Sequence, residues 1–343
     1  MKKFPLKNNQ MQLIRGFYNI ANTLDLKDGC VLSIGNFDGV HRGHQAILER
    51  LCDKSAEVGL PSVVLLFEPQ PKEFFARKIA KSQQVIKSPE ELTAFIPARL
   101  MLLRDKFFAL EQAGVDFVLC VRFNEKFASL SASEFISDLL VRQLRVRYLS
   151  VGDDFRFGAG RAGNFELLRN AGLKYRFAVE DSQTLSYASQ RVSSSLIREA
   201  LQNDELHLAK QLLGRAYSIC GRVVHGNKLG RTIGFPTANI MLNRLVIPLQ
   251  GVYAVQVKTT YGLFNGIANV GNRPTINGIK PLLEVHIFDF NQAIYGTAIE
   301  VIFHHKIRSE IRFPSFEDLK CQIEKDCEQA VRFFNSFTKI SGI

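Results

Sequence analysis

Nowhere in the 343 residues do about eighteen apolar residues follow one another, so the sequence offers no candidate for a membrane-spanning helix. The basic and polar start, residues 1–10, has no apolar stretch behind it, and no secretory signal is expected. No long low-complexity tract occurs either. With 46% hydrophobic and 22% charged residues, the chain has the profile of a protein folded throughout. The six cysteines (Cys30, Cys52, Cys120, Cys220, Cys321, Cys327) include no C-x-x-C pair, which removes the commonest zinc and dithiol patterns. Several lie in apolar strand-like runs, where cysteine serves as a small buried hydrophobe. Reduced thiols and a cytoplasmic location are expected.

What is present in excess is positive charge, a formal +11. Such a balance suits nucleic acid or phosphorylated small molecules, and charge alone does not choose between them. An RNA-binding regulator would interleave aromatic with basic residues on an exposed sheet, and no such stripe is evident. The nearest thing to a basic run, Arg142, Arg145 and Arg147, is interrupted by Leu144 and Val146 and reads as a solvated helix end.

At this length two domains are the natural expectation. In the first half, apolar β-branched runs at 31–34, 62–67, 117–121, 148–151 and 176–179 alternate with amphipathic stretches at 45–58 and 98–113, ended by Gly59 and Gly114. Ser131 and Glu134 form a capping-box pair ahead of Phe135, Ile136, Leu139 and Leu140. This alternation predicts α/β architecture, a Rossmann-like parallel sheet. After Leu213 the texture becomes long alternating segments, 217–224, 252–259, 263–270, 282–290 and 298–307, with hairpin signals at Tyr261-Gly262 and Asn277-Gly278. These predict an antiparallel β-barrel, closed by a terminal helix that Ser315 caps and that packs Leu319, Ile323 and Val331 on the strands. The expected partition is 1–205 and 206–343, with the helical stretch 194–213 at the junction.

The most informative segment is Gly35-Asn36-Phe37-Asp38-Gly39-Val40-His41-Arg42-Gly43-His44, which ends the first strand and opens the first long helix. Ligands bind at the carboxyl ends of parallel strands, and a helix start offers free N–H groups to phosphate. The glycines permit a tight turn and close approach of phosphates. His41 and His44 are placed to donate hydrogen bonds to an α-phosphate under attack and to a departing pyrophosphate. The His-x-x-His spacing also suggests a metal site, but no third ligand cluster accompanies it.

His41-Arg42-Gly43-His44 resembles the H-x-G-H signature of nucleotidyltransferases, and the Gly-Asn-Phe-Asp-Gly-Val before it resembles the FAD-synthetase branch. Phe67-Glu68-Pro69-Gln70-Pro71, Gly152-Asp153-Asp154-Phe155-Arg156-Phe157-Gly158 and Ser193-Ser194-Ser195-Leu196-Ile197-Arg198 support that branch. The resemblance implies that Gly35, Phe37, Asp38 and Gly39 belong to the ligand site. It also implies that Asp154 contacts flavin or adenine, and that Ser194, Ser195 and Arg198 hold triphosphate. Gly158, Gly160 and Gly163 spell G-x-G-x-x-G, but the first lies well past its strand, so a dinucleotide fold is set aside. The loop, with Arg161, is expected near the phosphates instead.

In the second half, Gly226-Asn227-Lys228-Leu229-Gly230-Arg231-Thr232 lacks the glycine spacing and lysine of a P-loop. Gly234-Phe235-Pro236-Thr237-Ala238-Asn239 follows, placing a hydroxyl and an amide two residues apart on a proline-fixed segment, where both could reach Mg²⁺ and ATP phosphates. This segment resembles the riboflavin-kinase G-F-P-T-A-N motif, as do Gly251-Val252-Tyr253-Ala254, Asn269-Val270-Gly271-Asn272-Arg273-Pro274-Thr275 and Glu284-Val285-His286-Ile287-Phe288. The resemblance implies that Thr237 and Asn239 organise Mg-ATP, that Gly226, Gly230 and Arg308 belong to the nucleotide- and flavin-binding site, that Glu284 takes a proton from the ribityl hydroxyl, and that the segment from Arg308 to Phe313 covers the flavin. Without the family, Glu284 reads equally as an outward strand carboxylate and Pro236-Thr237 as an ordinary turn.

Together the motifs resemble bacterial bifunctional riboflavin kinase/FAD synthetases over nearly the whole chain. Asp154 stands where some relatives have asparagine and Ala216 where proline is common. The implied substrates are ATP, riboflavin and FMN with Mg²⁺, acting in a monomer or in transient oligomers, with no nucleic-acid or membrane partner. A nucleotidyltransferase for another substrate shares the histidine signature but lacks the second domain.

Overall fold

The structure is a computed structural model and describes residues 11–20, 26–82, 95–152, 154–182, 185–187, 190–226, 234–275 and 278–341. The chain forms two compact units, Met1–Gln83 with Leu103–Ser193 and Gln84–Leu102 with Ser194–Ile343.

In chain order the first unit contains β1 (Gln12–Arg15), β2 (Cys30–Ile34), α1 (Arg42–Val58), β3 (Ser62–Glu68), α2 (Pro71–Ser82), α3 (Leu103–Gln112), β4 (Phe117–Arg122) and α4 (Glu125–Ala128). Then come α5 (Ala132–Glu134, widening into a π-helical Phe135–Gln143), β5 (Val146–Val151), α6 (Phe165–Tyr175), β6 (Ala178–Asp181) and the short hairpin β7 (Ser186–Tyr187) and β8 (Gln190–Arg191). The main sheet has the order β1-β4-β3-β2-β5-β6, and every pairing in it is parallel. β2 and most of β3 are buried on both faces, which is why they read as unbroken apolar runs rather than alternating ones. Strand order reverses at β2: the chain first builds outward through β3 and β4, then crosses to β5. The crevice outside the carboxyl end of β2 is therefore the topological switch point, where open α/β sheets bind ligands.

Local signals place the ends of the helices. Gly59 takes the left-handed conformation (φ 68°) beyond α1, and Ser131 and Glu134 form the expected capping box at α5. Three boundaries differ from expectation. The helix foreseen from Ala98 begins at Leu103, because Ala98 lies in the other compact unit, where its carbonyl accepts from Arg198 Nε at 2.6 Å. The strand foreseen from Arg176 begins at Ala178, since Arg176 adopts φ 61° to close α6. The four-residue edge strand β1 was not expected; only Ile14 in it is deeply buried.

The second unit starts with α7 (Ser194–Gln202) and α8 (Leu206–Leu213), followed by β9 (Ser218–Val224), β10 (Ala238–Met241), β11 (Gly251–Thr259), β12 (Gly262–Thr275), β13 (Gly278–Ile287), β14 (Ala298–Arg308) and α9 (Phe316–Ser341). The strands close into a barrel in the order β10-β13-β12-β11-β14-β9, and closure leaves no exposed edge. Gly262 (φ 132°) makes the β11–β12 hairpin as expected, whereas Asn277 of the second expected turn lies outside the described residues. The strand foreseen to Phe290 stops at Ile287, and Asp289 turns with φ 52°.

Helix α9 covers the outside of the barrel at Val252, Ala254 and Ile267 with Ala330 and Phe334, supported by Ile323 and Cys327. Positions 323, 327, 330 and 334 form one helical stripe. Val331, expected on that face, lies a residue off the stripe and is 44% exposed. Asp326, 1% exposed, is gripped by Arg308 through Nε (3.0 Å to each carboxylate oxygen) and Nη2 (2.8 Å).

Candidate active sites

The loop at the carboxyl end of β2 is built around His41. It caps α1, and its Nδ1 accepts the backbone N–H of His44 at 3.3 Å. With Nδ1 used as an acceptor, a neutral His41 carries its proton on Nε2, which makes that nitrogen a donor. The two imidazoles stack at 3.6 Å between centroids, and Phe37 packs on His44 at 4.9 Å. His44 Nδ1 is buried with no protein partner, as is Asn36 Oδ1. Burial, then the charges of His41 and Lys106, hold the His44 imidazole well below its usual pKa, so it is neutral at pH 7.

Phe37, Val40, Asp38 and His41 are all buried, and Phe37 and Val40 adopt positive φ (44° and 37°), a strained state for side chains of that size. Gly39 (φ 87°) is glycine because the turn requires it, and a Cβ on Gly35 would press on the Phe37 ring at 3.0 Å. The expected residues of this segment, Gly35, Phe37, Asp38, Gly39, His41 and His44, thus form one continuous loop and helix mouth.

The other expected residues of the first half come from separate elements. Asp154, just past β5, is exposed and pairs with Arg191 at 3.3 Å. Arg161 is exposed in a 3-10 turn. Around it, Gly158 faces the Ala132 backbone and Gly163 pairs with Phe157, so this glycine loop is no strand-to-helix turn. Ser194 and Ser195 open α7 in the second unit, with Arg198 one turn on.

Two features of this region belong to no sequence motif. At the carboxyl ends of β3 and β4, Phe67, Phe74, Phe75, Phe123 and Phe127 interlock at centroid distances of 5.3–5.8 Å. Phe75 among them is 43% exposed. The abundance of phenylalanine, 27 residues, was the available signal. The second is Lys106, only 3% exposed, whose Nζ donates to Asn36 O at 2.6 Å.

The barrel site is made by register. Asn239 opposes Glu284 across β10–β13, and Glu284 opposes Asn269 across β12–β13. Directly opposed Cβ atoms are about 4.5–5.5 Å apart, so three polar side chains from three strands stand in one row. Their neighbours Ile240, Leu283, Val285, Ala268 and Val270 are buried, which puts the row on the outer face of the barrel. A Cβ on Gly226 would collide with the Asn239 amide. His286 Nδ1–H donates to Pro236 O at 2.9 Å, and its ring meets Phe235 edge-on, fixing the segment that presents Thr237. Gly230 lies outside the described residues.

Two cavities open among the described residues of the barrel, and Asn239, Glu284 and Asn269 line neither of them. One of about 410 Å³ is lined by Thr237, Ile287 and Tyr295, the last stacked on His225 at 4.1 Å. The other, about 490 Å³, is lined by Gly271, Asn272, Lys306 and Glu310. Along β13, Glu284 falls between the residues that border the first cavity and the partners of those that border the second. Arg308, expected to bind ligand, is engaged with Asp326 and lies over Phe313 at 5.6 Å, which ties the 308–313 segment to α9.

A family model described as FAD synthetase matches residues 24–196, and one described as riboflavin kinase matches residues 213–334. A Haemophilus influenzae protein named bifunctional riboflavin kinase/FMN adenylyltransferase is 56% identical over 95% of this chain and 100% of its own length. The chain belongs to the bifunctional riboflavin kinase/FMN adenylyltransferase family. An Escherichia coli K12 protein of the same name is 50% identical over 96% of this chain and 99% of its own. Among solved structures, one named a macrolide-efflux protein from Streptococcus pneumoniae superposes with a TM-score of 0.73 at 30% identity, covering 94% of this chain and 98% of that one. No helix among the described residues here is long and apolar enough to cross a membrane.

Proposed function

We propose that the barrel phosphorylates riboflavin to FMN with ATP, and that the parallel-sheet domain then transfers AMP from a second ATP to FMN, giving FAD and pyrophosphate. The observation that carries this reading is the pairing, in one chain, of a helix mouth at the switch point with an Asn-Glu-Asn row on the outer face of a barrel. We place the division of labour at residues 205/206.

In the kinase step, Glu284 accepts the proton of the terminal ribityl hydroxyl, whose oxygen attacks the γ-phosphorus of ATP while the β–γ bridging bond breaks and ADP leaves. The cavity beside Thr237 suits the nucleotide, and the one beside Asn272 and Glu310 suits the flavin. Thr237 and Asn239 offer hard oxygen donors on one face, a set that fits Mg²⁺ carried largely by phosphate and water. Bound there, Mg²⁺ would supply charge neutralisation of the triphosphate.

In the second step, a phosphate oxygen of FMN attacks the α-phosphorus of ATP and pyrophosphate departs. Nε2–H of His41 and the neutral His44 imidazole donate to oxygens that gain charge on the way. The Phe67–Phe127 cluster offers the flat flavin a stacking face. Ser194, Ser195 and Arg198 are assigned to triphosphate, and Asp154 to flavin or adenine, on the family pattern. Six free thiols suit a reducing cytoplasm.

The test is incubation of purified protein with riboflavin, ATP and Mg²⁺ and chromatography of the flavins. Both FMN and FAD are expected, and absence of both would remove the proposal.

A further inference from the structure

We propose that Lys106 is a positioning residue for adenylyl transfer, holding the 35–40 loop in the shape that seats the phosphates. The proposal rests on the assignment of that loop to the FMN-to-FAD step. Lys106 lies 70 positions from Asn36 in sequence and on a different element, the first turn of α3, yet its ammonium reaches the Asn36 carbonyl at 2.6 Å and is almost wholly buried.

The loop it grips needs holding. Phe37 and Val40 both sit at positive φ, and a β-branched valine there persists only where its surroundings over-determine it. Val40 N–H donates to Phe37 O at 3.2 Å and Gln45 Nε2 to Val40 O at 2.9 Å on the far side of the loop, while Asn36 Oδ1 and His44 Nδ1 are buried without protein partners. Buried polar groups left in this state mark a site completed by something else. An unrestrained Asn36 peptide would let the His41 cap drift relative to β2, and both imidazoles would move with it.

The choice of lysine over a neutral donor follows from the ligand. Lys106 is near enough to His44 to act on its charge, so it adds positive potential beneath the point where phosphate oxygens arrive. Arginine would keep both the donor and the charge. Glutamine would keep a donor alone, and methionine neither.

The experiment compares Lys106→Met, Lys106→Gln and Lys106→Arg in the full chain, measuring kcat and KM for FAD formation from supplied FMN and ATP. Riboflavin-to-FMN turnover of the same sample serves as the folding control, because Lys106 takes no part in the barrel site. Expected is a kcat loss of about a hundredfold in Lys106→Met, the scale of an ångström-sized misplacement. KM for FMN should change little, Lys106→Gln should be intermediate, and Lys106→Arg should recover most of the rate. Wild-type kcat in Lys106→Met would overturn the proposal, as would Lys106→Arg being as impaired as Lys106→Met while both still make FMN. Should Lys106→Met lose both activities through misfolding, the Gln-to-Arg ratio decides: a clear advantage for Arg supports the proposal and equality overturns it. A wild-type protein that makes FMN but no FAD would instead strike the assignment of the loop.

Discussion

The two sites are made in opposite ways. At the carboxyl end of β2 one contiguous loop supplies both histidines and the turn that carries them, and its precision comes from buried strain: positive φ at Phe37 and Val40, a histidine cap, and a lysine tie from another helix. In the barrel the backbone is regular, and precision comes from register, which lines up Asn239, Glu284 and Asn269 from three strands. A strained loop stores its geometry in a few residues and loses it through any one of them. A strand row is held by the whole ladder and tolerates change except at the polar side chains themselves.

That contrast can be broken most sharply at Glu284. Glu284→Gln preserves the ladder and removes only the proton acceptor, so FMN formation should fall by about 10²–10⁴-fold while FAD formation from supplied FMN continues. Equal loss of both activities in folded protein would show that the sites are not separate. Next in size, His44→Ala should lower FAD formation by about 10²–10³-fold with FMN formation intact, as removal of a preorganised donor does. Steady-state assays with each substrate supplied alone check both.

Gly226→Ala tests whether the barrel row has a strained dependency of its own. The added methyl meets the Asn239 amide, and a roughly tenfold fall in FMN formation is expected; an unchanged rate would mean that Asn239 can move without cost. Asp326→Ala leaves the Arg308 guanidinium without its buried carboxylate, and breaking such a pair costs about 3 kcal/mol of stability. Calorimetry should show the barrel transition falling and the other transition unmoved.

The smallest effect is that of pH. Burial, with Lys210 nearby, lowers the His304 pKa from about 6.5 to about 4. A histidine kept neutral by the fold contributes stability that is full above 6.5 and is lost as pH falls from there through about 4. His304 packs edge-on to Phe334 of α9. Thermal unfolding of the barrel should thus weaken between pH 6.5 and 4, and His304→Gln should flatten the slope.

Much of this was legible from residues alone, for a physical reason. Gly-Asn-Phe-Asp-Gly-Val-His-Arg-Gly-His is contiguous because a loop at a strand end must do its turning, capping and donating within ten residues. Strand and helix types followed from unbroken apolar runs in a doubly covered sheet and alternation in a barrel. Lys106 was invisible because a lysine in an amphipathic helix reads as solvent-facing until the packing partner is known. The Asn239-Glu284-Asn269 row needed pairing register, which no local pattern encodes. Val331 went astray by a single helical position, because hydrophobicity alone does not set the phase of a stripe. The bidentate tie of Arg308 to Asp326 likewise depends on a helix eighteen residues away.

The central claim, that one chain holds two independent sites joined by FMN, is tested most directly by mixing two dead variants. His44→Ala supplied with riboflavin and ATP should accumulate FMN, Glu284→Gln should leave riboflavin unchanged, and the mixture should produce FAD. A mixture that yields no FAD, although each variant is folded and performs its remaining half-reaction, would contradict the account.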